Sequence, residues 1–229
     1  MSEIQVNTIN EYTGANGVTI DGVKLKDNAV ETDTISEKTS AAGVTIDGVL
    51  VKDSVAHSGL VKLASATASG SSDLTFDNFV DHSTYAYYKI VYNNFKAETN
   101  NKEFRFIFRT GGGSGSDLTG SYRRYNIYAD VASSSVSGFT SAETDHTTLH
   151  VLGNSTREEY TAHTDFFPAN GTNGFTYAKS LGTYGAGGTI YATETTNLID
   201  VATAVTGIKF IMESGNITSG SITIYGVKK

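Results

Sequence analysis

Glu-Phe-Arg-Phe-Ile-Phe-Arg, at residues 103–109, is the stretch of sequence that decides the fold. Apolar and charged side chains alternate along it, which is the pattern of a β-strand. Phe104, Phe106 and Phe108 fall on one face of this strand, and the charged residues fall on the other with Ile107. The strand therefore predicts a hydrophobic core on its phenylalanine side.

Other strand patterns follow on both sides of this stretch, separated by turns rich in Gly, Asn and Ser. They lie at residues 85–92, 122–131, 146–152, 175–179, 189–193, 207–212 and 221–227. All 11 Phe and 12 of the 13 Tyr lie beyond Leu74, and no long segment has a helical period. The sequence predicts an all-β chain that ends in an antiparallel β-sandwich, jelly-roll-like in its connections.

The N-terminal region contains a repeat. Residues 7–28 recur as residues 33–54, with 14 of 22 positions identical. Each copy places an Asp-Gly pair, Asp21-Gly22 and Asp47-Gly48, between β-branched residues, which favours a two-residue hairpin turn. Isolated hairpins are marginally stable in water, so we expect three chains to associate as a β-hairpin shaft. Two surface hairpins on a monomer are the alternative.

Composition divides the chain into three parts. Residues 1–63 are predicted to form the repeat shaft, for attachment and trimerisation, although residues 55–63 alone could be a helical turn or a strand. Residues 64–72 read Ala-Ser-Ala-Thr-Ala-Ser-Gly-Ser-Ser, a composition typical of a linker. Residues 73–229 are predicted to form the β-sandwich head.

Charge and composition argue against several classes of protein. The net charge of −7 disfavours a nucleic-acid-binding surface, which is normally basic. The chain has no Cys, so it has neither disulfides nor Cys-ligated metals. No apolar run reaches the ~18 residues of a membrane span, and residues 1–4 do not resemble a signal peptide. We expect a protein kept in the cytosol or released without a signal, as a virion is released by lysis.

Both ends of the chain resemble one class of proteins. Ile-Gln-Val-Asn-Thr-Ile-Asn-Glu-Tyr at residues 4–12 and Gly-Val-Thr-Ile-Asp-Gly-Val at 17–23 are similar to the N-terminal region of tail-fibre and virion structural proteins of tailed bacteriophages. A β-sandwich domain of the same proteins is resembled at residues 79–81, 87–91, 207–210, 215–220 and 224–227. The resemblance implies a homotrimeric fibre with a distal head, attached to other virion proteins through its N-terminal region. It supplies no catalytic residues.

The densest cluster of Arg and Tyr lies at residues 122–128. On a strand, Arg124 and Tyr128 would share one face, and Arg123 and Tyr125 the other. Tyrosine rings stack on sugars and arginine pairs with carboxylate or phosphate, so this cluster is a candidate site for a host surface glycan or protein. An ordinary edge strand with one wet face is the alternative.

A second candidate surface is the Gly-rich segment at residues 181–188, which contains Tyr184 and is flanked by Tyr177 and Tyr191. The receptor-binding candidates are therefore Arg123, Arg124, Tyr125, Tyr128, Tyr177 and Tyr184. A long hairpin loop without a binding role is the alternative interpretation of this segment.

No metal site or cofactor is expected. His146 and His150 are four residues apart, which suits a helix and not the strand predicted here, and His163 lies elsewhere. Turn chemistry accounts for Asp21 and Asp47 without calcium.

The expected function is that of a non-enzymatic phage fibre that attaches to the bacterial host. A purely structural fibre or decoration protein of the capsid is the alternative. A glycan hydrolase is a third hypothesis, since glycosidases need two carboxylates across a cleft. Its candidate carboxylates are Glu143, Asp145, Glu158, Glu159 and Asp165.

Overall fold

The structure is a computed structural model that describes residues 44–46, 49–52, 55–56, 59–171, 174–201 and 203–229. The chain divides between residues 55 and 56 into two units. Strands β1 (Val44–Ile46), β2 (Val49–Lys52) and β3 (Val55–Ala56) form a three-stranded sheet in that order.

The second sequence repeat contains the hairpin expected from its pattern. Ile46 pairs with Val49 and Val44 pairs with Val51, so only two residues separate the antiparallel strands β1 and β2. The turn residues Asp47 and Gly48 lie outside the described residues. So do Asp21 and Gly22 with the whole first repeat, and the trimeric shaft stays a prediction.

The described residues of the second unit form strands and one short 3₁₀ helix at Gly112–Ser114. The strands are β4 (Leu60–Thr67), β5 (Asp73–Phe76), β6 (Tyr85–Ala97), β7 (Lys102–Thr110), β8 (Ser116–Asp117), β9 (Ser121–Asp130), β10 (Ser135–Glu143), β11 (Thr147–Leu152), β12 (Tyr160–Phe167), β13 (Thr176–Ala186), β14 (Thr189–Asp200), β15 (Gly207–Met212) and β16 (Ile217–Lys228).

These strands form two antiparallel sheets in the described part of the chain. The larger has eight strands in the order β10-β9-β14-β13-β12-β6-β16-β4. The smaller has five, with β11-β7-β15-β5 in order and β8 beside β7. The all-β, sandwich-like class is therefore confirmed. The division into eight and five strands differs from a jelly roll, which has eight strands in all.

The core lies between the two sheets and is rich in aromatic rings. Phe104, Phe106 and Phe108 of β7 are fully buried, as their alternation predicts. Tyr92 of β6 packs edge-on against Phe210 of β15, with ring centroids 5.5 Å apart. This contact joins the larger sheet to the smaller one, so burial of such rings holds the two sheets together.

The predicted linker at residues 64–72 is wrong, because most of it belongs to the sandwich. Residues 64–67 lie in β4, which pairs with β16. Ser71 forms a β-bridge with Ile217. Small Ala, Ser and Thr side chains are compatible with a linker and also with an edge strand, and the ladder to β16 decides between them. The division of the chain accordingly falls at residues 55 and 56, before the predicted boundary.

Candidate functional site

The alternation predicted along β9 is confirmed. Arg124 and Tyr128 are partly buried on the inner face of the larger sheet, on either side of fully buried Asn126. Arg123 and Tyr125 are exposed on the outer face, where Tyr125 retains 50% of its accessible surface. The four candidates of this strand therefore belong to two different surfaces.

Arg124, Tyr128 and Tyr184 meet in one cleft of about 450 Å³, which we call the Arg124 cleft. Its other lining residues are Glu103, Phe139, His150, Val151, Ala186 and Tyr191. They come from β7 and β11 of the smaller sheet and from β9, β10, β13 and β14 of the larger one. The cleft thus opens between the sheets.

Sheet size explains why a cleft forms at this place. β11 is the edge of the smaller sheet, whereas the larger sheet ends with β9 and β10. No residue of β10 is buried. Because the smaller sheet does not cover β10, the inner face of the larger sheet remains accessible at this edge.

Aromatic side chains form the walls of the Arg124 cleft. Tyr184 is stacked between His150, at 4.1 Å between ring centroids, and Tyr191, at 4.8 Å. Tyr128 contacts Tyr191 and Phe139 edge-on at 5.7 and 6.3 Å. These contacts cover both faces of Tyr184, which is only 7% exposed, while Phe139 is 42% exposed.

The second predicted surface is wrong as a single site. Residues 176–186 form strand β13, and only Gly187 and Gly188 make the turn to β14, both with positive φ. Tyr177 and Tyr184 are seven positions apart on this strand, so they lie on opposite faces. Tyr177 is on the outer face, where its ring stacks on Phe167 at 4.6 Å.

Arg124 is held in the cleft by two contacts. Its Nη1 donates a hydrogen bond of 3.2 Å to the carbonyl of Thr148, and its guanidinium lies 4.4 Å from the centre of the Phe139 ring. Its Nε is buried without an acceptor, and none of the ion pairs among the described residues includes Arg124. Burial lowers the pKa of Arg124, against the attraction of Glu103 and Glu143, yet arginine stays charged at neutral pH.

Glu103 brings a carboxylate to the same cleft, but this carboxylate already has partners. It pairs with Arg105 at 2.6 Å and accepts a hydrogen bond of 3.0 Å from the Thr148 hydroxyl. Burial raises the pKa of Glu103, while Arg105 and Thr148 lower it more strongly, so the net shift is downward. Glu103 is therefore ionised and compensated by Arg105.

The floor of the cleft is polar and fully buried. His150 Nε2 lies 2.6 Å from the hydroxyl of Thr193 and 3.0 Å from that of Thr195. The amide of Asn126 donates to the Thr195 hydroxyl at 2.6 Å. Burial, and secondarily the charge of Arg124, lowers the pKa of His150 to about 3. His150 is therefore neutral near pH 7, which leaves Arg124 as the cation among the residues that line the cleft.

The carboxylates proposed for a hydrolase are not among the residues that line the cleft. Glu158 accepts backbone hydrogen bonds from Ser155 and Gly188. Asp165 pairs with Lys89 at 2.6 Å on the outer face of the sheet. Within the described residues, no three His, Asp or Glu side chains come together as a metal site would require.

Sequence reasoning missed most of the cleft. The spacing of the histidines raises His150 only as a metal ligand, and the sequence pattern does not indicate Glu103 or Phe139 as binding residues. The alternation along β7 and β11 places Glu103 and His150 on strands, but the pairing of sheet edges that joins them to β9 has no local signal.

Comparison of the chain with protein-family models, with curated proteins and with solved structures finds no match in any of the three. Across the described residues, no helix combines the length and apolar character needed to cross a membrane. The phage resemblance therefore remains a prediction, and the functional argument rests on the chain's own residues.

Proposed function

We propose that this chain is a non-enzymatic fibre protein of a tailed-phage virion and that its sandwich unit binds a glycan of the bacterial host surface in the Arg124 cleft. The virion assignment rests on the resemblance of the repeats. The binding assignment rests on one observation, namely that a cleft of about 450 Å³ combines aromatic walls with an arginine that has no carboxylate partner. Sugar-binding sites need ring faces and fixed polar groups of this kind.

The chain is proposed to act as a homotrimer that joins other virion proteins through its N-terminal region. The hairpin of the second repeat supports this, because a short hairpin gains stability when its edges are covered. Native mass spectrometry would test the assembly. A mass three times the 24.3 kDa of one chain is expected, and a single chain at micromolar concentration would contradict the trimer.

Binding is tested with the full, labelled chain on an array of bacterial surface polysaccharides. Saturable binding is expected, with loss in Tyr128→Ser, which changes the cleft, and no loss in Tyr125→Ser, which changes the outer face of the same strand. Thermal melts verify that both variants are folded. If the folded wild-type protein binds no polysaccharide, the glycan-binding proposal is refuted and a structural capsid fibre or decoration protein becomes the better assignment.

The same array tests the hydrolase alternative. Glu103 is the carboxylate among the cleft-lining residues, and a glycosidase uses a pair. We therefore expect no release of reducing sugar from any bound polysaccharide. Release that disappears in Glu103→Gln would overturn the non-enzymatic assignment.

A further inference from the structure

We infer that the Arg124 cleft selects sugars that carry a negatively charged oxygen group, and that Arg124 is the residue that recognises this charge. The inference rests on the proposed glycan-binding function and narrows it to a chemical class. The charged group can be a carboxylate, as in a uronic acid, or a sulfate or phosphate ester, since guanidinium pairs with all three.

The charge balance of the cleft supports this selection. Glu103 is compensated by Arg105 at 2.6 Å, and His150 is neutral. Arg124 forms no ion pair among the described residues, and Glu103 and Glu143 attract its charge without pairing with it. A partly buried cation without a paired anion loses hydration, and carboxylates that are not paired with it offset only part of this cost. An anionic ligand would supply the missing charge.

The orientation of the guanidinium points to the same conclusion. The Thr148 carbonyl accepts from Nη1 and Phe139 covers one face of the group, so two contacts fix its plane. The buried Nε has no protein acceptor. Because Nε is buried, an oxyanion in the cleft would pair with the terminal nitrogens of the guanidinium, whose plane the two contacts hold fixed.

The rest of the cleft provides for the neutral part of a sugar. Both faces of Tyr184 are occupied by His150 and Tyr191, so Tyr184 stiffens the wall and leaves ring stacking to others. Tyr128 is partly exposed and Phe139 is 42% exposed, which makes them the surfaces available for a pyranose ring. The carboxylate of Glu103 is an acceptor for sugar hydroxyls.

A structural role for Arg124 is the competing explanation. Its hydrogen bond to Thr148 joins β9 to β11, and its contact with Phe139 joins β9 to β10. A brace of this kind would affect stability but would not distinguish charged from neutral sugars. Ligand selectivity is therefore the observation that separates the two roles.

The test uses the full chain and matched pairs of methyl glycosides, followed by ligand-observed NMR titration. Methyl glucuronide is compared with methyl glucoside, and methyl galacturonide with methyl galactoside. Galactose 6-sulfate and glucose 6-phosphate form a third arm that distinguishes esters from carboxylates. Charge-assisted hydrogen bonds are stronger than neutral ones, so we expect at least one charged sugar to bind about tenfold tighter than its neutral counterpart or better, which corresponds to about 1.4 kcal/mol.

Variants assign the selectivity to its residue. Arg124→Gln should remove the preference for the charged sugar, whereas Arg123→Gln, one position away on the opposite face, should leave it unchanged. Arg124→Lys keeps the charge but loses the fork, so an intermediate preference is expected. If Arg124→Gln does not fold, the wild-type comparison still decides, together with the weakening of charged-sugar binding as salt is raised.

The outcomes separate this inference from the function on which it rests. Equal binding of charged and neutral sugars, or a preference that survives in folded Arg124→Gln, would overturn the role of Arg124 while leaving glycan binding in place. Absence of binding to all of these sugars and to the polysaccharide array would overturn both.

Discussion

The interior of the sandwich has two halves that differ in chemistry. Where β6, β7 and β15 meet, the buried side chains are aromatic and aliphatic, as in Tyr92, Phe104 and Phe210. Where β9, β11 and β14 meet, the inner faces carry buried polar groups. These are Asn126, Thr147, His150, Thr193, Thr195 and Asn197.

The difference shows which half contributes more to the stability of the fold. Burial of aromatic rings stabilises the fold directly through the hydrophobic effect. Buried amides and hydroxyls mainly recover, through hydrogen bonds, the hydration that they lose. Asn126 Oδ1 and Asn197 Nδ2 do not even recover that, since both are buried without a partner among the described residues. A polar half beneath a cleft is therefore expected to contribute less to stability than the aromatic half, and it is compatible with the binding role proposed above.

Phe104→Ala should give the largest effect, because it removes a fully buried ring from the aromatic half. We expect a loss of about 3–5 kcal/mol in the free energy of unfolding, measured by urea denaturation. Phe175→Ala is the matched control, since Phe175 is 59% exposed and should change stability little. Similar losses in the two variants would show that the aromatic half is not the stabilising one.

Lowering the pH should decrease the free energy of unfolding through His150, which lies in the polar half. Burial lowers the pKa of this histidine to about 3. Between pH 6.5 and 4.5 the unfolded chain binds a proton at this residue and the folded chain does not, so stability falls as the pH falls. The slope should approach about 1.4 kcal/mol per pH unit, and stability should be constant above about pH 7. Urea denaturation across this range provides the measurement.

His150→Gln is the variant that assigns this slope. Burial also lowers the pKa of His82, which acts in the same direction, so a smaller slope should remain in the variant. A slope that is unchanged in His150→Gln would contradict the burial of a neutral imidazole beneath the cleft.

Thr195→Val removes one hydroxyl from the polar half at nearly constant volume. It removes the acceptor of the Asn126 amide at 2.6 Å and one of the two hydroxyl partners of His150 Nε2, at 3.0 Å, while Thr193 remains 2.6 Å from Nε2. We expect a loss of about 1–2 kcal/mol in thermal or urea unfolding. Thr196→Val, on the opposite face of β14, is the control and should be near neutral. A stabilised Thr195→Val would mean that the polar half carries no useful hydrogen bonding.

Tyr177→Ser should give the smallest effect. Tyr177 lies on the outer face, is 42% exposed and loses only its stack on Phe167, so we expect a loss of about 1 kcal/mol or less and unaltered sugar binding. Loss of glycan binding in this folded variant would move the candidate site from the cleft to the outer face.

The sequence predicts the aromatic half well and the polar half poorly. Residues 103–109 lie in β7, with the phenylalanines on the buried face as expected. Residues 207–212 form β15 with the predicted bounds. The inner face of β14 carries Thr193, Thr195 and Asn197, with Glu194 and Thr196 on the outer face. Since both faces are polar, alternation gives no signal of which one is buried.

The cleft could be predicted only in part for a related reason. Alternation separates Arg124 from Arg123 correctly, because β9 is a regular strand. The Gly-rich composition of residues 181–188 gives no sign of a strand, so the sequence places Tyr177 and Tyr184 on one candidate surface. On a strand, residues an odd number of positions apart lie on opposite faces, so the two tyrosines cannot share a surface. The contact of β9 with β11 depends on the strand order at the edges of the two sheets, and local sequence does not contain that information.

The order of the larger sheet also has a mechanical consequence. β4, by which the chain enters the sandwich, forms one edge of the sheet, and β10 beside the cleft forms the other. Seven strand-to-strand intervals separate them, which corresponds to roughly 34 Å. Tension on the chain before β4 would act first on the ladder between β4 and β16, as far from the cleft as the sheet allows. Peeling at that edge would leave β9, β10 and the Arg124 cleft undisturbed, so the width of the sheet separates the cleft from the strand on which the tension acts.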